Sequence, residues 1–190
     1  MMSEPQITRV RVGFLGTNCY LLSLPERDDA VLIDPGAQPK RITEALQGKR
    51  IAAILLTHGH FDHIGAVGRL MQAETELVVH KLDAPLLGDP DLNASYLLQT
   101  RITAPEATRL TFEGDTLSYA GMDFTVLHTP GHTAGSVCYL CGSTLFTGDT
   151  VMGMGTGRTD LPTGSDEDMD SSLARLLPLQ GKYRFLGGHG

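Results

Sequence analysis

The segment Thr57-His58-Gly59-His60-Phe61-Asp62-His63 puts four potential metal ligands within six residues. Neutral imidazoles bind divalent metals at pH 7, and the carboxylate of Asp62 adds a hard anionic oxygen. A regular helix or strand would scatter these side chains, so a loop must converge them. Gly59 permits close approach of the backbone. A polar loop with exposed histidines is the plain alternative, and so dense a run of ligand types speaks against it. Three other places repeat one pattern, an apolar stretch followed by a ligand-type residue beside a glycine. They are Pro130-Gly131-His132-Thr133, Gly148-Asp149-Thr150 and Gly187-Gly188-His189-Gly190. Each alone reads as an ordinary turn. Together with the first cluster they supply seven ligands, His58, His60, Asp62, His63, His132, Asp149 and His189, enough for two metals with open positions.

A site built from nitrogen and oxygen without thiolate suits Zn, Fe or Mn. Two such metals close together would lower the pKa of a bridging water and yield hydroxide at neutral pH, which could attack a carbonyl. Asp62 stands where it could both ligate and hydrogen-bond the nucleophile. No separate serine or cysteine nucleophile stands out.

These residues need rigid supports. Residues 7–14 alternate, with Val10, Val12 and Phe14 on one side, and read as a strand. Further strands are expected at 19–22 and 30–34, with Pro35-Gly36 stopping the second. Pro39 suits a first helical position, and Ile42, Ala45 and Leu46 form a helical stripe that Gly48 ends. The continuously apolar run 51–56 fits a strand buried on both faces. A helix is expected over 64–72 and a strand over 77–80. Strands at 116–119, 124–128, 137–140, 144–147 and 182–186, with a helix over 166–177, complete the order. This alternation implies an α/β fold with a sheet-on-sheet centre and outer helices. Residues 83–109 are broken by Pro85, Gly88, Pro90 and Pro105, and read either as a lid or pocket wall or as a solvated connection. His80 and His128 fall at strand ends and read as structural or exposed. Cys138 and Cys141 lie three apart on a strand, so they point to opposite faces and are not a ligand pair.

Composition narrows the partners. The chain has 190 residues, a net charge of -7, seven histidines and three cysteines. The length suits one domain spanning 1–190. An acidic total without a Lys/Arg cluster argues against nucleic acid. No apolar run has a membrane-spanning length, and residues 1–5 lack the pattern of a signal peptide. Three cysteines are too few for a disulfide scaffold and point to a reducing, cytoplasmic setting. Nothing in the sequence signals an oligomeric state.

The motifs, in order, resemble those of the metallo-β-lactamase superfamily. The likeness rests on Asn18-Cys19-Tyr20, Leu32-Ile33-Asp34-Pro35-Gly36, the His-x-His-x-Asp-His run, Pro130-Gly131-His132-Thr133, Thr147-Gly148-Asp149 and Gly188-His189-Gly190. It implies a metallo-β-lactamase-like αβ/βα four-layer sandwich with metals at one edge of the two sheets. It also implies that His58, His60 and His132 hold a first metal, that Asp62, His63 and His189 hold a second, and that Asp149 bridges them. Asp34 is then expected to orient a ligand histidine. The string Gly157-Arg158-Thr159-Asp160-Leu161-Pro162 is similar to the short glyoxalase II-like branch, with Arg158 and Asp160 either near the pocket or paired to brace their loop. The implied activity is that of a dimetal hydrolase of thioesters such as S-lactoylglutathione, acting through a metal-bridging hydroxide, with Zn foremost and Asp62 and Asp149 as the catalytic carboxylates. The same Gly-Arg-Thr-Asp string occurs in mononuclear iron persulfide dioxygenases, and lactonase-type hydrolases share the fold. Longer glyoxalase II enzymes carry a C-terminal helical domain that grips glutathione; with His189 as the penultimate residue, that domain is expected to be absent.

Overall fold

The computed structural model describes residues 4–153 and 155–190, so residues 1–3 of the segment read for a leader lie outside the description. The first sheet runs in chain order: β1 (Gln6–Val12), β2 (Thr17–Ser23), β3 (Asp29–Ile33), β4 (Arg50–Leu55), β5 (Glu76–His80) and β6 (Arg109–Thr111). β1 to β3 pair antiparallel, and β3 to β6 pair parallel. The second sheet comprises β7 (Thr116–Tyr119), β8 (Met122–His128), β9 (Val137–Cys141), β10 (Thr144–Gly148) and β11 (Arg184–Gly187), ordered β11-β10-β9-β8-β7. Only the β10–β11 pair in it is parallel.

The apolar alternation of the strands builds three hydrophobic zones. Val31, Ile33, Ala53 and Leu55 point between the sheets and meet Phe124, Val126, Tyr139 and Phe146 from the second sheet. Their neighbours Leu32, Ile54 and Leu56 point outward, under α1 (Pro39–Leu46), α2 (Phe61–Ile64) and α3 (Val67–Leu70). β4 is therefore apolar from Ile51 onward because both its faces are covered there. Leu145 and Cys138 face out of the second sheet, against Leu176 of α4 (Asp166–Leu176). The layers are helix, sheet, sheet, helix: a mixed α/β sandwich with the αβ/βα four-layer order that the resemblance implies. Cys141 points into the central zone while Cys138 points out, the opposite facing expected of residues three apart on a strand. All three cysteines are buried free thiols. Among the described residues no helix is long and apolar enough to cross a membrane.

Four local readings change. The helix expected over 64–72 is two short ones, α2 and α3, and the first starts at Phe61. Helical bonding breaks between them because Ala66 N–H donates to Pro35 instead, and Gly65 packs on the Gly36 carbonyl. Phe14 does not share the inward face of Val10 and Val12; it sits in the β1–β2 turn and is 72% exposed. β6 escapes a pattern search because it has three residues, two of them exposed. Residues 83–109 hold two single-turn 3-10 helices, Ala84–Leu87 and Ser95–Leu98, and the second forms a wall beside the ligand cluster.

Candidate metal centre

β3, β4, β8, β10 and β11 all end at one edge of the sandwich, and each is followed by a residue singled out above. β4 leads through Leu56 and Thr57 to His58. That exit is stitched across to β9: Val137 N–H donates to Thr57 O at 2.8 Å, and the Tyr139 hydroxyl to Leu56 O at 2.8 Å. The close passage of Thr57 also demands a glycine before Asp149. Gly148 has φ +49°, and a Cβ there would overlap the Thr57 side chain. β11 is held from the first sheet, with the Asn18 amide and the Tyr20 hydroxyl both donating to Gly187 O, at 3.0 and 2.7 Å. The Asn18-Cys19-Tyr20 marker thus fixes the segment that carries His189.

The structure brings all seven candidate ligands into one cluster. Three sets have ligand atoms within 4.8 Å of one another: His58, His60 and His132; His58, His63 and Asp149; and Asp62, His63 and His189. Asp149 lies among the others, with its carboxylate oxygens 3.5 Å from His63 Nε2, 3.5 Å from His132 Nε2 and 3.4 Å from His189 Nε2. His189 Nε2 is also 3.2 Å from Asp62.

The far side of each ring explains which nitrogen faces inward. His63 Nδ1 is 2.9 Å from Asp34 Oδ2, and the Thr57 hydroxyl donates to the same oxygen at 2.6 Å. With its proton so committed, Thr57 can only accept from His58 Nδ1 at 3.1 Å. His132 Nδ1 donates to the Arg158 carbonyl at 2.6 Å, and His189 Nδ1 to the Leu15 carbonyl at 3.2 Å. In all four rings Nδ1 is occupied outward, so Nε2 is the nitrogen that faces the cluster and is the one available to a metal. His60 is the exception: its Nδ1 faces His132 Nε2 at 2.8 Å. Asp34 reaches both loops because it adopts φ +53°, a left-handed conformation that an aspartate tolerates.

Metal fit can be tested on the polar atoms left over. Buried polar atoms are nearly always paired. Here His58 Nε2, His60 Nε2 and Asp149 Oδ1 are buried without a hydrogen-bond partner. Three orphans in one cluster of nitrogen and oxygen donors fit divalent metal. Burial, reinforced by the neighbouring His63 and His132, holds the His58 pKa well below its usual range. Burial and then His132 take His60 down to about 3. Burial also acts to lower His63, but Asp62, Asp149 and Asp34 overcome it and raise His63 to about 9. His189 likewise rises against burial to about 10, through Asp149 and Asp62. Burial acts to raise Asp62 and Asp149, yet the facing imidazoles hold both low.

Several supporting residues were not among those singled out from sequence. Asp83 is fully buried; it accepts from Gly59 N–H at 2.8 Å, Gly135 N–H at 2.7 Å and the Thr133 hydroxyl at 2.8 Å. It therefore clamps the loop of His58 and His60 to the loop of His132. Asp83 follows a strand end, like the ligands, but lacks the adjoining glycine that marked them. Thr17 donates to Asp62 at 2.8 Å. The Arg158 guanidinium forms two bonds to Asp160, at 2.6 and 2.7 Å, and both side chains are exposed. Arg158 touches the cluster through its backbone carbonyl and lines the adjoining cavity, whereas Asp160 is not among the cavity-lining residues. His80 and His128 stack on each other, 4.2 Å between ring centres, away from the ligands.

This cluster at the edge of an αβ/βα sandwich defines a metal-binding hydrolase fold, and residues 12–189 match the family described as the metallo-beta-lactamase superfamily, to which the chain belongs. Among curated relatives it is similar to the hydroxyacylglutathione hydrolase of Xanthomonas campestris, 38% identical over 173 residues, which covers 90% of this chain and 60% of that protein. Three solved structures resemble it. BLEG-1, described as a B3 metallo-beta-lactamase, is 34% identical with a TM-score of 0.92, covering 97% of this chain and 92% of its own. TTHA1623, solved in a di-iron-bound form, is 39% identical with a TM-score of 0.85, covering 96% and 92%. ETHE1 from Myxococcus xanthus is 28% identical with a TM-score of 0.79, covering 97% and 76%.

Proposed function

We propose that the protein is a dimetal hydrolase of thioesters, with hydroxyacylglutathiones such as S-lactoylglutathione as the first substrates to test and zinc as the first metal, ahead of iron or manganese. The observation that carries this reading is the convergence of His58, His60 and His132 with Asp62, His63 and His189 on Asp149, at the floor of one cavity. When bound, the metals would supply Lewis acidity and hydroxide at neutral pH. The chain's own part is to hold the ligands and steer the nucleophile. Asp149 supplies the negative charge shared by the two sets. Asp62 lines the cavity, is held ionised, and can accept a hydrogen bond from the attacking water. The likeness to the Xanthomonas campestris hydrolase supports the thioester. The three free thiols suit a reducing, cytoplasmic setting.

The test is elemental analysis of the purified protein together with loss of thioester absorbance from S-lactoylglutathione. Absence of turnover of S-lactoylglutathione and of acyl N-acetylcysteamine thioesters alike, with Zn, Fe and Mn each loaded in turn, overturns the reading. A β-lactam and a lactone belong in the same panel, the first because of the likeness to BLEG-1. A second reading, a mononuclear iron persulfide dioxygenase, draws on the likeness to ETHE1 and on the deeper burial of the His58, His60 and His132 set. Oxygen uptake with glutathione persulfide at one iron per chain would select it.

A further inference from the structure

The cavity over the ligand cluster has walls that the hydrolytic chemistry does not require. Its volume is about 400 Å³, and its floor is the metal-facing edge of His60, Asp62, His132, Asp149 and His189. Its walls come from separate stretches of chain, and nearly all are apolar: Phe14 and Leu15 from the β1–β2 turn, Phe61 from α2, Leu97 and Leu98 from the 3-10 turn, and Leu161. Phe14 is 72% exposed and Leu97 52%. Single exposed apolar side chains are ordinary, but several gathered on one cavity mark a binding surface.

The walls are anchored to the cluster. Leu15 O accepts from His189 Nδ1, so the turn that presents Phe14 is tied to a ligand. Asn93 O accepts from Phe61 N–H at 3.0 Å, and the Asn93 amide donates to Leu86 O and Ile102 O, which fixes the Ser95–Leu98 turn against α2. The distance from apolar wall to ligand cluster is thus set by the fold. The charge of the cavity points the same way. Among its lining residues Arg158 is the only Arg or Lys, and Asp160 occupies it with two bonds. The carboxylates of a peptide-like thiol carrier such as glutathione meet no free cation there.

We infer that the cavity selects thioesters with an apolar acyl chain on a carrier without required anionic groups, with the chain lying against Phe14, Leu97 and Leu98. This inference rests on the thioester reading and narrows its substrate class. A binding measurement that needs no turnover tests it. The probes are non-hydrolysable S-methyl, S-butyl and S-hexyl N-acetylcysteamine thioethers and S-methylglutathione, titrated calorimetrically into metal-free and zinc-loaded protein. Affinity should rise about threefold to fourfold per added methylene, the value expected for burying each in an apolar site. S-methylglutathione should bind no tighter than S-methyl-N-acetylcysteamine. The double variant Phe14→Ser, Leu97→Ser, which changes two exposed side chains, should flatten the series while keeping the wild-type metal content. Hydrolysis of acetyl, butyryl and hexanoyl N-acetylcysteamine should follow the same order in kcat/KM.

Flat binding across the series, or a glutathione thioether that outbinds every neutral one, overturns the inference even where S-lactoylglutathione is hydrolysed. Graded binding with no thioester turned over overturns the hydrolase reading instead, and leaves an apolar ligand. A wild-type dimer that Phe14→Ser, Leu97→Ser converts to monomer, together with flat binding, shows that the walls cover a second copy and also overturns it.

Discussion

A histidine ligand is useful only when its other ring nitrogen is fixed, and one carboxylate does this for two rings. Asp34 takes the Nδ1 proton of His63 directly and that of His58 through the Thr57 hydroxyl. Replacing Asp34 by Ala frees both rings to flip or change tautomer. Metal affinity should fall by about 10–100-fold, the usual cost of losing such a partner, as read by competition with a chromophoric chelator; unchanged affinity would show that the rings are held by packing alone. Asp83 acts on the backbone instead. Asp83→Ala strands the Gly59 and Gly135 N–H groups in a buried place, which should cost on the order of 3 kcal/mol, measured by urea unfolding of the metal-free protein. The ligands were legible in the sequence because their side-chain types are rare at that density. Asp83 was not, because a buried aspartate that accepts backbone N–H groups has the same one-letter appearance as a solvated one.

At the scale of elements, the cluster depends on contacts between pieces far apart in sequence. α2 starts within the ligand run and lies against the β3 exit so closely that a Cβ at Gly36 would overlap the Asp62 carbonyl. Gly36→Ala must push α2 away, and both Asp62 and His63 with it. Metal content should drop below that of the wild type, with the protein still folded by far-ultraviolet circular dichroism; full metal content would mean that α2 has slack. β1 was readable from alternation and β4 from its unbroken apolar run, since the one buries a single face and the other both. The break between α2 and α3 was not, because Ile64, Val67, Leu70 and Met71 keep helical spacing across it, and the interruption is imposed by Pro35 and Gly36 from another part of the chain. Phe14 misled for the same reason: its alternation with Val10 and Val12 continues one step past the point where the turn takes over.

At the scale of the whole molecule, seven ligand groups in one place make folding, protonation and metal binding a single equilibrium. In the metal-free protein Asp62, Asp149 and Asp34 keep His63 and His189 charged, with pKa values of about 9 and about 10. Both lie above the unfolded value for histidine, so their contribution to stability is complete below about pH 6.5. It is lost as pH rises through 9 and 10. The metal-free protein should therefore become less stable between pH 7 and 10 in chemical unfolding experiments. Metal binding has the opposite sign. It needs the Nε2 lone pairs, so loading His63 and His189 must release their protons, and affinity for that set should climb with pH until about pH 10. His58 and His60 are already held neutral by burial, so they add no protons, and Asp62 and Asp149 are already ionised. Calorimetric titration at pH 7 in buffers of different ionisation enthalpy should then show about two protons released by His63 and His189 on full loading, with about one more from a metal-bound water that ionises. Lowering the pH from 8 to 6 should empty that set before the set anchored on His58 and His60. Release of no protons, or loss of both metals together, would mean that the ion pairs around Asp62 and Asp149 do not compete with metal, and that the two sets do not load as separate sites.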